Sequence, residues 1–280
     1  MRWPANSVGV RPGRYAKLCL IFSFVRQRIP AMSGHSKWSS IKHKKGAADA
    51  KRGKIFTKII KELTVAARIG GGDPDSNPRL RTVVAEAKSV NMPAGNITRA
   101  IRRGTGEEPG VAYEEVTYEG YGPGGVALMV DVLTDNRKRT VSEVRHLLSK
   151  HGGNLGESNS VAWMFTKQGC IVVAKDRADE EALMTVVIDA GADDFRDDES
   201  HWEVVSAPDA FDAVLAAVKQ MDVEPLSAEV AMMPKNYVKL EGKVAQQMLK
   251  LMEALEDNDD VRNVWSNFNI EEKEIEASLA

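Results

Sequence analysis

The hydrophobic pattern of this chain changes period once, at about residue 107, and the sign of its charge changes at the same place. Before that point apolar residues recur at the three-and-four spacing of helices that bury one face. After it, short β-type runs alternate with helical stretches. One layer of one element type does not accommodate both, so the pattern calls for an α+β chain whose first helices stand apart from a mixed remainder. Residues 1–31 carry six Lys/Arg and no Asp/Glu, residues 32–106 sixteen against five, and residues 107–280 sixteen against thirty-five. The formal net charge of −2 therefore conceals regional charges of +6, +11 and −19. A basic front and an acidic rear predict a polyanionic partner for the front, most simply nucleic acid.

Bulk properties remove several classes. Hydrophobic residues make up 43% and charged residues 28% of the 280, an ordinary globular balance with room for two domains and a small third. The longest apolar run, Leu18–Val25, is far short of the roughly 20 residues a membrane-spanning helix needs. Cys19 and Cys170 are the two cysteines, too few for a disulfide framework or a Cys-rich zinc site, and they favour a reducing compartment. In residues 1–31 the apolar run is followed by Arg26-Gln27-Arg28 and no small-residue cleavage site, which does not fit a secretory signal. The lack of acids fits an organellar transit peptide; the scarcity of Ser does not. We read this stretch as an extension ahead of a true start at Met32 and assign no fold to it.

The segment 32–106 reads as a basic helical domain. Lys37-Trp38, Lys42-His43-Lys44-Lys45 and Lys51-Arg52-Gly53-Lys54 follow one another closely. One helix is expected near Ser39 and a second just after Gly53. In the second, Ile55, Phe56, Ile59, Ile60, Leu63, Ala66 and Ala67 fall within about 140° of the helical wheel, and Lys54, Lys58, Lys61 and Arg68 within about 80° on the other side. A solvated face mixes signs to gain i,i+4 pairs, whereas this helix has only Glu62 among its cations, so a bound polyanion is expected to relieve the repulsion. Gly70-Gly-Gly-Asp-Pro74 ends it. A third helix runs from near Asn77 to Val90 and a fourth opens on Pro93. Arg99, Arg102 and Arg103 sit in the fourth helix's last turn, where cations also suit the helix dipole and need no ligand.

From Glu114 the chain reads as two acidic α/β units. Strands are expected at 116–121 and 125–133 around the turn Gly122–Gly125, then a helix at 139–150. Val161–Phe165 and Cys170–Ala174 read as a strand pair, followed by a helix at 179–190, a hairpin near 197–200, a helix at 208–221 and a strand at 228–233. A helix at 241–257 and a strand at 261–268 close the chain. This order suggests two ferredoxin-like domains, one at 107–160 plus 234–280 and the other, 161–233, inserted in it. Gly120–Gly125 lacks the Lys-Ser/Thr of a phosphate loop and reads as a hairpin turn. Arg137-Lys138-Arg139 stand at a helix N-terminus, where the dipole disfavours cations, and are read as a second anion contact. The acidic runs 193–199 and 256–260 read as solvated. Five histidines in no metal-ligand spacing, and no G-x-S-x-G, leave no catalytic or metal-binding constellation.

In Met32-Ser-Gly-His-Ser-Lys-Trp38, Lys51-Arg-Gly-Lys-Ile-Phe-Thr-Lys58, Gly70-Gly-Gly-Asp-Pro74, Asn77-Pro-Arg-Leu80, Tyr118-Glu-Gly-Tyr-Gly-Pro123, Thr134-Asp-Asn136, Arg139-Thr140 and Gly152-Gly-Asn-Leu-Gly156 the chain resembles the YebC/PmpR family, which also includes mitochondrial translational activators of cytochrome oxidase. The motifs run in order from Met32 to the C-terminal part; residues 1–31 are the departure. The resemblance implies a three-domain, cytoplasmic, non-enzymatic protein. It implies a DNA-binding transcriptional regulator or, as for other members, a ribosome-associated factor that relieves stalling on difficult sequences.

The resulting expectation is a nucleic-acid-binding regulator of α+β class without cofactor, metal or membrane attachment. DNA is the expected ligand, with rRNA or tRNA on the ribosome as the alternative. Phosphate contacts are assigned to Lys37, His43, Lys44, Lys45, Lys51, Arg52, Lys54, Lys58, Lys61, Arg68, Arg137, Lys138 and Arg139. Trp38 either stacks on an exposed base or anchors the N-terminal arm. The acidic rear is left free for a protein partner.

Overall fold

In a computed structural model, residue 38 and residues 49–198, 201–271 and 273–275 are described, the side chains of 49–52 excepted. The front segment builds three helices: α1 Asp49–Gly70, α2 Pro78–Ser89 and α3 Ala94–Thr105. Asn77 joins the first two. Its side-chain oxygen caps α2 by accepting from the Leu80 N–H at 3.1 Å, and its amide nitrogen donates to the Ala66 carbonyl at the end of α1 at 2.8 Å, so one buried side chain satisfies groups that two helix ends leave open. α3 crosses α1 at Gly104, where a Cβ would lie 2.4 Å from the Thr64 carbonyl; only glycine lets the two backbones approach that closely. The resulting core is built from Ile59, Leu63, Leu80, Val83, Ile97 and neighbours, all between Ile55 and Ile101.

Behind it stand two four-stranded antiparallel sheets. The first contains β1 Glu114–Tyr121, β2 Ala127–Thr134, β3 Asn154–Leu155 and β9 Val261–Ser266, in the order β3-β1-β2-β9. Helices α4 Arg137–Lys150 and α7 Gly242–Glu256 cover one of its faces. The second contains β4 Phe165–Ala174, β5 Ala192–Asp197, β6 His201–Ser206 and β7 Ser227–Pro234, in the order β5-β6-β4-β7, with α5 Glu180–Asp189 and α6 Phe211–Gln220 against it. That order, with strand–helix–strand–strand–helix–strand connectivity, is ferredoxin-like. The first sheet reaches an equivalent order differently: the inner place of the third ferredoxin strand is taken by β1, which precedes the rest and joins β2 by a hairpin. The uncovered faces of the two sheets meet through Met129 and Trp265 from one and Cys170, Val172 and Met233 from the other. β8 Val238–Lys239 and β10 Phe268–Asn269 form a short parallel pair.

One sequence expectation is corrected. Val161–Phe165 and Cys170–Ala174 are not a strand pair: β4 runs unbroken from Phe165 to Ala174, and residues 162–164 form a 3-10 turn. The polar interval Thr166–Gly169 is strand because it pairs with β7 on one side, and Gly169 lies under the Phe211 ring, which a side chain there would strike. The expected helix near Ser39 lies outside the described residues.

Candidate nucleic-acid interface

Two helices of the front segment carry basic faces, and the fold treats them in opposite ways. On α1, Lys54, Lys58 and Lys61 turn toward the C-terminal end of α7. Lys54 Nζ donates to the Asp257 carbonyl at 3.2 Å and lies 3.5 Å from its carboxylate. Lys58 Nζ donates to the Glu256 carbonyl. Lys61 Nζ donates to the Asp259 carbonyl at 2.9 Å and to Asp260 Oδ1 at 2.6 Å. A helix C-terminus presents carbonyls without intrahelical partners and the negative end of the helix dipole, so three ammonium groups are well placed there.

Asp260 is the centre of this contact. It is 5% exposed. Besides Lys61 it accepts from Arg139 Nη2 at 2.7 Å, Thr140 Oγ1 at 2.6 Å and Thr134 Oγ1 at 3.2 Å. Burial pushes its carboxyl up, but the hydrogen bonds from Arg139, Lys61 and Thr140 outweigh this and hold it well below the usual carboxylate range. The Arg139 guanidinium, bonded to Asp260 and to Asp135 at 2.8 Å, is held above its ordinary value. An open cleft of about 620 Å³ runs between these groups, lined among others by Lys54, Tyr113, Glu143 and Asp257.

Three expectations change here. The acidic run 256–260 is not simply solvated: its carbonyls and carboxylates receive the lysines of α1. Trp38 is 1% exposed, packs in the core under α7 and donates its indole N–H to Glu256 Oε1 at 2.9 Å, so its ring has no face open to a base. Arg139 spends its charge on Asp135 and Asp260, leaving Arg137 and Lys138 exposed in the first turn of α4, neither paired with a carboxylate among the described residues. Arg68 is exposed and donates to the Tyr113 carbonyl at 3.2 Å. Lys37, His43, Lys44 and Lys45 lie outside the described residues, as do the side chains of Lys51 and Arg52.

The second basic face is on α3. Ile97, Ala100 and Gly104 are buried. Arg99, Arg102 and Arg103 span an arc of about 100° on the opposite side, and all three are exposed. Arg102 lies 3.8 Å from Glu107 and 3.6 Å from Glu108; Arg99 and Arg103 have no carboxylate partner among the described residues. The C-terminal-turn position gave these arginines a structural explanation in the sequence, which is why they carried little weight there. What distinguishes them is that all three stay exposed, although the 106–110 segment lies beside Arg102 and Arg103.

A second buried charge network lies between the sheets. Glu203, fully buried, receives Arg196 at 3.3 Å and the Cys170 thiol at 3.4 Å, and its carboxyl is pushed up by burial against the pull of Arg196. Among the described residues no group of three or more His, Cys, Asp or Glu is arranged to hold a metal ion.

Comparison with known proteins supplies the last observations. Residues 36–107 match the family model described as the TACO1/YebC protein N-terminal domain, and residues 113–268 the one described as TACO1/YebC second and third domain. A probable transcriptional regulatory protein of Acidobacterium capsulatum is 62% identical over 243 residues, covering 87% of this chain and 98% of that one. A like-named protein of Geobacter sulfurreducens is 59% identical over 245 residues, covering 88% and 99%. The crystal structure of a conserved hypothetical protein from Aquifex aeolicus superposes with a TM-score of 0.71 at 45% identity, over 80% of this chain and 92% of that one.

Proposed function

The chain belongs to the TACO1/YebC family, and from that premise we propose that it is a nucleic-acid-binding regulator, of the DNA-binding transcriptional kind, that acts without catalysis. The observation that carries this reading is the exposed arginine face of α3. Arg99, Arg102 and Arg103 project together from a rigid helix, with only two loosely placed carboxylates beside them. Guanidinium groups suit phosphate because their fixed fork of donors matches its oxygens. Arg68 at the end of α1, and Arg137 and Lys138 at the start of α4, add further exposed cations. Such contacts position a protein on a polyphosphate backbone without reading its sequence. The acidic rear is repelled by the same backbone, which orients the molecule and leaves that half free for a protein partner. The names of the relatives support a regulatory role, and the reading assigns the protein to the cytoplasm. No helix among the described residues is long and apolar enough to cross a membrane.

A second reading, a ribosome-associated translation factor contacting rRNA or tRNA, is favoured by one feature. The open cations are dispersed over α3, the end of α1 and the start of α4, instead of lining one helix that would enter a major groove. Co-sedimentation with ribosomes and binding to duplex DNA at the same salt separate the two. The transcriptional reading expects DNA affinity that falls with salt at a slope of about −4 to −5 on log–log axes for some five phosphate contacts. Association with ribosomes but not DNA at matched salt would transfer the proposal to the second reading. Binding to neither would end both.

A further inference from the structure

The α1 lysines and the 256–260 segment have a relation that a permanent domain junction does not need. The core of the front helices is closed on itself: its members, including the partly buried ones, lie between Ile55 and Ile101, and none comes from the sheets behind. What joins the helices to the α/β body is mainly polar, with Val65 buried among the lysines of α1. Lys54, Lys58 and Lys61 meet residues 256–260, Arg79 meets Glu115, and Arg262 of β9 meets Glu62 at 3.2 Å. Trp38 is seated in the body core and not in the helical one, so the helices are tethered at both ends to a body whose packing they do not share. An interface made mainly of ion pairs and hydrogen bonds is the kind across which domains move. Lys54, at 47% side-chain exposure, faces Asp257 at 49%, and an exposed pair at 3.5 Å contributes little and is screened by salt.

We infer that the Lys54–Lys58–Lys61 face is a second phosphate-backbone surface, held closed by the chain's own 256–260 segment, which occupies it as an anionic stand-in. The inference rests on the nucleic-acid reading above. Three lysines on successive turns of one helix face meet, in the closed form, three carbonyls and two carboxylates spread along five consecutive residues. A nucleic-acid strand offers the same thing, a row of anionic oxygens that three ammonium groups can follow. The ligand competes with the segment: the arginines of α3 dock first, and the lysines exchange 256–260 for phosphates as the helices swing from the body. The same chemistry comes from DNA or from ribosomal RNA, so both are used as probes.

The test uses the full chain with short random-sequence duplex DNA and with purified ribosomes, in separate arms. Asp257→Asn removes the carboxylate that faces Lys54, Asp259→Asn removes a neighbouring charge of the same segment, and the buried Asp260 is spared. The control, Glu180→Gln with Glu181→Gln, removes the same charge from the exposed first turn of α5. The expected result is a several-fold gain in affinity in the segment variant beyond the control at matched salt, because less has to be displaced from Lys54 before it meets phosphate. Amide hydrogen exchange of the unmodified protein gives a second readout: on adding the nucleic acid, residues 256–260 should exchange faster. Equal gains in variant and control, or unchanged or slower exchange at 256–260 on binding, would overturn the inference. The nucleic-acid reading fails separately, if the unmodified protein binds neither probe.

Discussion

α1 and α3 read alike along the sequence, and they end up as opposites. Each has an apolar stripe that meets the other at Gly104 and Thr64, and each carries basic residues on the far side. Lys54, Lys58 and Lys61 of α1 close on the end of α7 and on Asp260; Arg99 and Arg103 of α3 are exposed with no carboxylate partner among the described residues. The lesson is that a charge stripe takes its meaning from what the chain folds opposite to it. Periodicity shows a basic face and its extent. It does not show whether the counter-charge is a ligand or a segment about two hundred residues further on.

The contrast can be broken first at Asp260. Replacing it with Ala leaves the buried Lys61 ammonium without its carboxylate and takes one of two carboxylates from the exposed Arg139 guanidinium. Removing one partner of a buried pair costs about 3–5 kcal/mol, so the urea midpoint of Asp260→Ala should fall by a large fraction of the transition. A loss within about 0.5 kcal/mol would place the contact with ordinary surface pairs. The same residue sets an acid limit. A carboxyl whose folded pKa lies below its unfolded one contributes stability in full above the ordinary carboxylate range, and that stability is lost as the pH falls through the folded value. Urea midpoints measured downward from neutrality should drop below about pH 4. Asp260→Asn, which keeps an acceptor but cannot titrate, should show a shallower drop; an unaltered profile would mean that other carboxyls govern it.

A smaller effect is expected at Gly104, where both helices meet. Gly104→Ala places a methyl 2.4 Å from the Thr64 carbonyl, and overpacking of this kind costs about 1–3 kcal/mol. Thermal unfolding would reveal it; a stabilised protein would mean that the helices separate easily and the close approach is not needed. The smallest effect belongs to the exposed pair. Lys54→Gln should change stability by at most about 1 kcal/mol, with a chemical-denaturation midpoint close to the parent's. A larger loss would make Lys54 a structural anchor and not a displaceable contact.

Much of the fold was legible because its signals are local. A helix start was read near Asn77, the glycines at 70–72 marked a stop, and strands flanking Gly122–Gly125 marked a hairpin. Each involves residues within a few positions of one another. The unbroken strand β4 was not legible, because the polar interval 166–169 looks like a turn until β7 and Phe211 are laid beside it. The candidate site was legible in part for a related reason. The basic character of the front is a matter of counting. The pairing of Lys61 with Asp259 spans 198 positions, and no periodicity connects the two. Trp38 gave no sequence signal that separated a stacking ring from a buried anchor. The arginines of α3 were visible but undervalued, because their place at a helix end already explained them.

The account turns on the α3 face being the open nucleic-acid contact, and Arg99→Glu with Arg103→Glu tests that directly. Both side chains are exposed and have no carboxylate partner among the described residues, so the fold should survive with a loss of no more than about 1–2 kcal/mol from the reversed helix-dipole interaction. Each change removes a cation and places an anion beside the phosphates. Binding to duplex DNA or to ribosomes, measured over a salt series beside the unmodified protein, should weaken at least tenfold, with a log–log slope shallower by about 2. An intact fold with unchanged affinity and slope would contradict the account and make the α3 arginines a solvated face.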